Sequence, residues 1–457
     1  MAKYQKYAEY KDSGVEWLGE IPGHWDSKPL KYLCTYNDEV LSETTYKEAE
    51  IQYIDIGSVS AVDGISHIET MIFKDAPSRA RRIVKDGDVI VSTVRTYLEA
   101  IAPIDNPPEN LIVSTGFAVI RPNQYLYKGF AAYCLRAKGF IKEVVARSVG
   151  VSYPAINSSE LVNITIPSVE YSEQVKIANF LEYETSKIDS LIAKQKKLIE
   201  LLKEKRQAVI SHAVTKGLNP HVTMKDSGVE WLGQVPEHWK CIKIKHITTT
   251  FEQGWSPQCD SRPAESHEYG VLKVGCVNGG SFRSSENKAL PPELEPRLQY
   301  LIQKDDLLIS RANTKELVGS ASVVNGDYPN LILCDKLYRL RFSKNVLPEM
   351  VSLYLSIGAV RKQIELGATG ASHSMQNIGQ DTIKELYYLL PPYEEALNIL
   401  ESIKQSNQKF DELTKKAESA IQLMQERRTA LISSAVTGKI DVRNWQYPNE
   451  AKTELSA

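Results

Sequence analysis

The sequence predicts an α+β chain of two tandem β-rich domains, each followed by a long helix. The two helices are expected to pair as an antiparallel coiled coil with pseudo-twofold symmetry. Three observations carry this reading. Lys11-Asp12-Ser13-Gly14-Val15-Glu16-Trp17-Leu18-Gly19 returns unchanged as Lys225-Asp226-Ser227-Gly228-Val229-Glu230-Trp231-Leu232-Gly233. Both copies run on to a Pro and a His-Trp, so twelve of fifteen positions match at an offset of 214. Residues 171–214 and 393–436 contain neither Pro nor Gly, while the text before each is strand-like and broken by turns.

Taken in order, the entry segment ends at Trp25 and a β-rich stretch begins. Ile51-Gln52-Tyr53-Ile54-Asp55-Ile56 alternates apolar and polar; Gly87-Asp88-Val89-Ile90-Val91-Ser92 and Phe117-Ala118-Val119-Ile120-Arg121-Pro122 follow. The second half answers with Val271 to Val274, Asp306 to Ser310 and Leu337 to Leu340. Helical pieces are expected at 129–145 and 348–366. The long helices are each about 44 residues, roughly 65 Å at 1.5 Å per residue. In the first, Ile177, Leu181, Ile188, Leu191, Leu198, Leu202 and Val209 form a seam, with Glu184, Gln195 and Lys205 at its other positions. In the second, the seam is Ile403, Phe410, Leu413, Ala417, Ala420, Met424 and Leu431. A heptad stripe this long needs a partner helix, and the other copy is the simplest one. Both helices finish alike, at Arg206 to Thr215 and Arg428 to Thr437, with Gly217 and Gly438 as stops. The expected boundaries are therefore 1–168, 169–217, 218–390, 391–440 and a tail at 441–457.

Composition narrows the class. The net charge is −2, which argues against a binder coated in positive charge but leaves room for a local basic surface. The six cysteines contain no CxxC pair and read as reduced thiols of a cytoplasmic protein. Neither a signal-peptide stretch nor an apolar run of spanning length is present.

The duplicated Gly-Val-Glu-Trp-Leu-Gly entry and the ending Ala435-Val436-Thr437-Gly438-Lys439-Ile440-Asp441-Val442-Arg443 are similar to the specificity subunits of type I restriction-modification enzymes. The resemblance covers essentially the whole chain. It implies two target-recognition domains, each reading one half of a bipartite, asymmetric site on double-stranded DNA. It implies that the helices act as a spacer and dock two methyltransferase subunits, and that restriction/translocase subunits join them. S-adenosylmethionine, ATP and Mg would then be used by those partners, with no cofactor or metal bound by this chain. Elementary geometry agrees, because two identical heads on a twofold read a palindrome, whereas diverged heads read an asymmetric pair.

Candidate DNA contacts follow the strand-like runs that end at Ser92 and Ser310. Thr93, Arg95, Thr96 and Tyr97 come after one, and Arg311, Asn313 and Lys315 after the other. Short hydroxyls, guanidinium and amide groups at a strand-to-loop junction suit phosphates and base edges; a solvated loop is the plain alternative. A second loop, 150–157, matches 370–377, sharing Gly, Ser and Asn at an offset of 220. It nominates Ser152, Tyr153 and Asn157, then Ser372, His373, Gln376 and Asn377; a simple capping turn is the alternative. Arg79, Arg81, Arg82 and Lys85 suit a phosphate grip, yet Asp86 and Asp88 follow closely, and a solvated face fits equally. Trp17, Trp25, Trp231 and Trp239 are expected to pack each entry segment on its domain.

Catalytic motifs are missing. Leu390-Pro391-Pro392-Tyr393 resembles the Pro-Pro-Tyr motif of amino-methyltransferases, but Leu cannot accept a hydrogen bond from the target amino group. It reads as a strand-to-helix hinge, as does Ile166-Pro167-Ser168. There is no phosphate loop, HExxH or GxSxG. The expectation is a non-catalytic specificity subunit. The competing classes are a self-sufficient DNA enzyme and a duplicated adaptor for a non-DNA ligand.

Overall fold

The computed structural model describes residues 4–61, 64–372 and 375–447. The chain forms two compact units; the first is built from two separate stretches and the second from one. The first contains residues 1–196 and 418–457; the second contains 197–417. The boundaries fall inside the long helices, α1 (Tyr171–Lys216) and α2 (Tyr393–Val436). Each unit thus holds the beginning of one long helix and the end of the other.

The entry segment explains why its sequence is repeated. In the first unit, Tyr10–Asp12 pairs antiparallel with Glu20–Pro22. The turn between them is closed by side chains: Asp12 Oδ1 accepts from the Gly14 amide at 3.0 Å and Ser13 Oγ from Val15 at 3.1 Å. Asp226 and Ser227 make the same bonds to Gly228 and Val229. Trp25 and Trp239 are fully buried. Their indole N–H groups donate to Glu173 (3.2 Å) and Glu395 (3.1 Å), each the third residue of its long helix. Negative charge in the first turn also complements the helix dipole. His24 Nε2 lies 3.0 Å from Glu173, and His238 Nε2 2.7 Å from Glu395. In the first unit Tyr7 adds a 2.6 Å bond to Glu173, and burial beside that carboxylate raises its phenol well above the usual range.

The β-rich regions share a topology despite their different sequences. The first unit has a four-stranded antiparallel sheet ordered Ile101–Pro103, Val89–Ser92, Phe117–Pro122, Cys34–Tyr36. The second has Ala321–Val323, Leu307–Ser310, Leu337–Phe342, Thr248–Gln253 in the same order. Each unit adds a second sheet with one parallel pair: Glu50–Ile54 with Leu111–Ser114, and Gly270–Leu272 with Leu331–Ile332. A short ribbon joins the entry segment to the strand before each long helix, Asp26–Pro29 with Thr165–Ser168 and Lys240–Lys243 with Tyr387–Leu390. The expected helical pieces are each two helices, Lys128–Cys134 with Lys138–Ala146 and Pro348–Ser356 with Gly358–Leu366. Ala137 and Ile357 cause the breaks: both are extended and buried, anchoring the chain between helices.

The long helices pair antiparallel within each unit. In the first, Asp189 meets Arg428 at 3.0 Å and Lys176 Nζ donates to Arg443 O at 2.7 Å. In the second, Arg206 pairs with Asp411, and Gly217 lies against the Glu395 carboxylate. The two Asp–Arg pairs are images of one another in the repeat. Leu431, Ile432, Ala435 and Val436 enter the first core, and Ile210, Ala213 and Val214 enter the second. Beyond α2, Ile440 and Val442 are buried in the first unit and Trp445 packs on Phe180.

The seam differs from expectation at alternate positions. Ile188, Gln195, Leu202 and Val209 are covered as expected, but Leu191 and Leu198 are 49% and 40% exposed. Ile192, Ile199 and Arg206 take those places, so Lys205 also lies outside the seam. In α2, Leu413 is 45% exposed and Thr414, Ile421 and Arg428 join Phe410, Ala417, Met424 and Leu431; Ala420 is half-covered. A step of four rather than three after each fixed position carries both arginines to their aspartates.

Candidate nucleic-acid interface

In each unit the two nominated loops lie side by side. The first unit's central strand ends at Ser92. Thr93 N donates to Gly116 O and Thr93 O accepts from Ile156 N (2.8 and 2.9 Å). Val94 bridges Ala155, which also pairs with Val149. The result is a small hairpin, 149–155, attached to the 93–97 loop. In the second unit Arg311 repeats the pattern, with N donating to Lys336 O at 2.8 Å and O accepting from Ile378 N at 3.0 Å. Ala312–Asn313 then pairs with Met375–Ile378, which pairs with Ala368–Ser372.

The hairpins differ in length, which changes the residue correspondence. Gly150 and Gly370 lie on their outgoing arms, both at positive φ. A β-carbon at either would approach the returning strand, 3.1 Å from Tyr153 O or 2.5 Å from Met375 O. This explains the shared glycine. By the return strand the second hairpin has gained two residues: Asn377 pairs where Ala155 does, and Gly379, not Asn377, occupies Asn157's place before a short helix. The Asn match at an offset of 220 therefore joins two structurally different positions.

The nominated side chains divide into two groups. Arg95, Tyr97, Ser152, Tyr153 and Asn157 are exposed. Thr93 and Thr96 are buried, their hydroxyls donating to Gly116 O and Ser148 Oγ (2.8 and 2.7 Å). Arg95 sits in the left-handed region at φ 51° with its guanidinium 5.2 Å from the Tyr153 ring centroid. Such a backbone costs of the order of 1 kcal/mol or more, and strained residues of this kind concentrate at binding sites. In the second unit Lys315 is exposed, Arg311, Gln376 and Asn377 are partly so, and Asn313 is held internally. Its amide donates to Asn278 and Ser310 and its oxygen accepts from Thr314 N at 2.9 Å. Ser372 ends its strand; His373 lies outside the described residues.

Three neighbouring segments were not singled out by sequence. Thr115-Gly116 lies between the 93–97 loop and Arg79, whose carbonyl accepts from Thr115 N at 2.8 Å. Asp335-Lys336 does the same in the second unit, and Trp255-Ser256 joins it: Trp255 N donates to Leu333 O at 2.9 Å and Ser256 hydrogen-bonds Asp335. The available signal was the Gly or Lys just before the Phe117 and Leu337 strands.

The basic cluster is not neutralised by the acids beside it in sequence. Asp86 pairs with Lys128 and Asp88 with Arg121, holding the Asp86 carboxyl below and the Arg121 guanidinium above its ordinary range. Lys85 pairs with Glu39. Arg79, Arg81 and Arg82 make no ion pair among the described residues, so positive charge remains beside the first rim. Burial lowers the Arg82 guanidinium. No group of metal-ligating side chains and no helix long and apolar enough to cross a membrane occurs among the described residues.

Comparison with known proteins agrees with this architecture. The model of the type I restriction modification DNA specificity domain matches residues 22–201. The EcoKI specificity subunit of Escherichia coli strain K12 is 26% identical over 448 residues, covering 94% of this chain and 92% of that subunit. The Escherichia coli EcoEI specificity subunit is 30% identical over 205 residues, 44% of this chain; the match spans about a third (34%) of the relative's own length. The HsdS subunit from Thermoanaerobacter tengcongensis superposes with a TM-score of 0.50 at 21% identity, covering 92% and 98% of the two chains. A chain from a study of complex assembly and conformational transition of the type I R-M system gives 0.67, at 21% identity, covering 92% and 99%.

Proposed function

The chain belongs to the specificity subunits of type I restriction-modification enzymes, and from that premise we propose that it reads a bipartite, asymmetric site on duplex DNA without catalysing a reaction itself. Each unit takes one half-site through its hairpin and the loops beside it. The observation that carries this is a rim built twice on one topology with different residues at its surface: Arg95, Tyr97 and Tyr153, all exposed, on one, and exposed Lys315 with partly exposed Arg311 and Gln376 on the other. Equal frames with unequal reading groups suit unequal half-sites.

Docking of two methyltransferase subunits is supported by a second duplication. Tyr171, Leu191 and Leu201 on α1 are exposed, and so are Tyr393, Leu413 and Leu423 at the matching places on α2. Large apolar groups left uncovered at repeated positions suit two copies of one partner. The partners would supply S-adenosylmethionine chemistry on adenine, and a further restriction/translocase subunit ATP- and Mg-dependent cleavage, all in the cytoplasm. The test is methylation of genomic DNA by the purified chain, by the methyltransferase of its operon, and by the two together. The expected outcome is methyl transfer to a split motif by the mixture alone. Transfer by the chain alone, or a mixture methylating an unsplit motif, would overturn the reading.

A further inference from the structure

Each recognition unit carries one exposed guanidinium that lies against an aromatic ring and makes no ion pair among the described residues, and the two are not counterparts in the repeat. In the first, Arg95 lies 5.2 Å from the Tyr153 ring centroid. Arg95's place in the second is taken by Asn313, whose amide is already hydrogen-bonded. There a guanidinium comes instead from the loop before Leu298–Tyr300: Arg297 lies 4.5 Å from the Trp255 ring centroid. Trp255 is tied to the 333–336 loop, which in turn holds Arg311. Both arginines therefore sit at a rim built from the reading loops.

Two features separate these contacts from the other arginine–ring pairs. Both guanidiniums are exposed, and neither forms an ion pair among the described residues. Arg443, also exposed on a ring, is bound to Asp441, whereas Arg81 and Arg136 are partly covered. Contact with the ring restrains the guanidinium while leaving its N–H groups unspent. On the same two loops Val151, Tyr97 and Leu98 are also exposed. A phosphate grip requires only a mobile cation. A planar fork restrained against a ring, with its N–H groups free, matches the paired acceptors, O6 and N7, that guanine alone presents in the major groove.

We propose that Arg95 on Tyr153 and Arg297 on Trp255 each read one guanine, one in each half of the bipartite site. The proposal rests on the DNA-reading function above and assigns base and residue within it. The experiment maps methylated adenines across the genome in cells carrying the chain with its methyltransferase partner. The wild-type motif should contain a G·C pair in both halves. Arg95→Ala should relax one such pair in one half by roughly ten- to a hundredfold, leaving the other half intact. Arg297→Ala should do so in the other half. Arg95→Gln and Arg297→Gln keep a polar side chain of similar length should the alanine variants fail to accumulate, and should shift the same position toward adenine. An unchanged motif with full methylation overturns the assignment. So does uniform weakening at every site with a shallower salt dependence, because that marks a phosphate contact. A wild-type complex that methylates no split motif would instead refute the underlying function.

Discussion

Single residues fix how each entry segment meets its long helix. Glu173 accepts from Tyr7 and Trp25 at 2.6 and 3.2 Å and is buried, whereas the Glu395 side chain is 28% exposed and Trp239 is its indole partner. Glu173→Ala would leave a buried phenol and indole without an acceptor. The expected loss is about 2–3 kcal/mol of stability, against about 1 kcal/mol for Glu395→Ala, where water reaches the gap. Urea unfolding of the two variants checks the order, and equal losses would contradict it. The tryptophans were legible from the repeat because large aromatic residues announce a core. Their acceptors were not: one Glu among many on a helix carries no mark, and only its recurrence at the third helical position could have exposed it. Thr93 and Thr96 looked like surface donors for a related reason. A hydroxyl in sequence does not say whether it faces solvent or a neighbouring carbonyl.

Among the elements, the long helices were the most legible and their facing residues the least. Length and freedom from Pro and Gly sufficed for the helices. The seam was ambiguous because leucines and isoleucines stand side by side at 191–192 and 198–199, so steps of three and four fit equally well. The arginine–aspartate pairs decide the matter, a signal invisible before the antiparallel register is known. Arg428→Asp should weaken the first unit and Asp189→Arg added to it should restore part of the loss. The coupling should be about 0.5 kcal/mol, since the side chains are 23% and 53% exposed. A double-mutant cycle that closes to zero would remove the pair from the register argument. The adjacency of the hairpins to the central-strand loops was not legible, and their alignment slipped because two residues are inserted inside the motif that was used to align them.

At the scale of the molecule, duplication was legible from a short repeated text, and the common topology of the diverged regions was not. The parallel pairs Glu50–Ile54 with Leu111–Ser114 and Gly270–Leu272 with Leu331–Ile332 join strands far apart in sequence, and no local pattern announces such a partnership. That topology makes the heads exchangeable. Replacing residues 26–168 with a recognition domain of different specificity should change one half of the methylated motif and leave both the other half and the gap unchanged. Methylome sequencing reads all three at once. A change in both halves would show that the heads do not act independently.

The interleaving of the two units sets an order of maturation during synthesis. The second recognition unit, 197–417, is complete once residue 417 has left the ribosome. The first has all its strands much earlier, yet its core still lacks Leu431, Ile432, Ala435, Val436, Ile440 and Val442. The head that is made first is therefore finished last. Until those residues emerge, Trp25, Phe140 and Phe180 belong to a core without its final wall. A nascent chain stalled between 417 and 431 would carry one finished reading head and one open one.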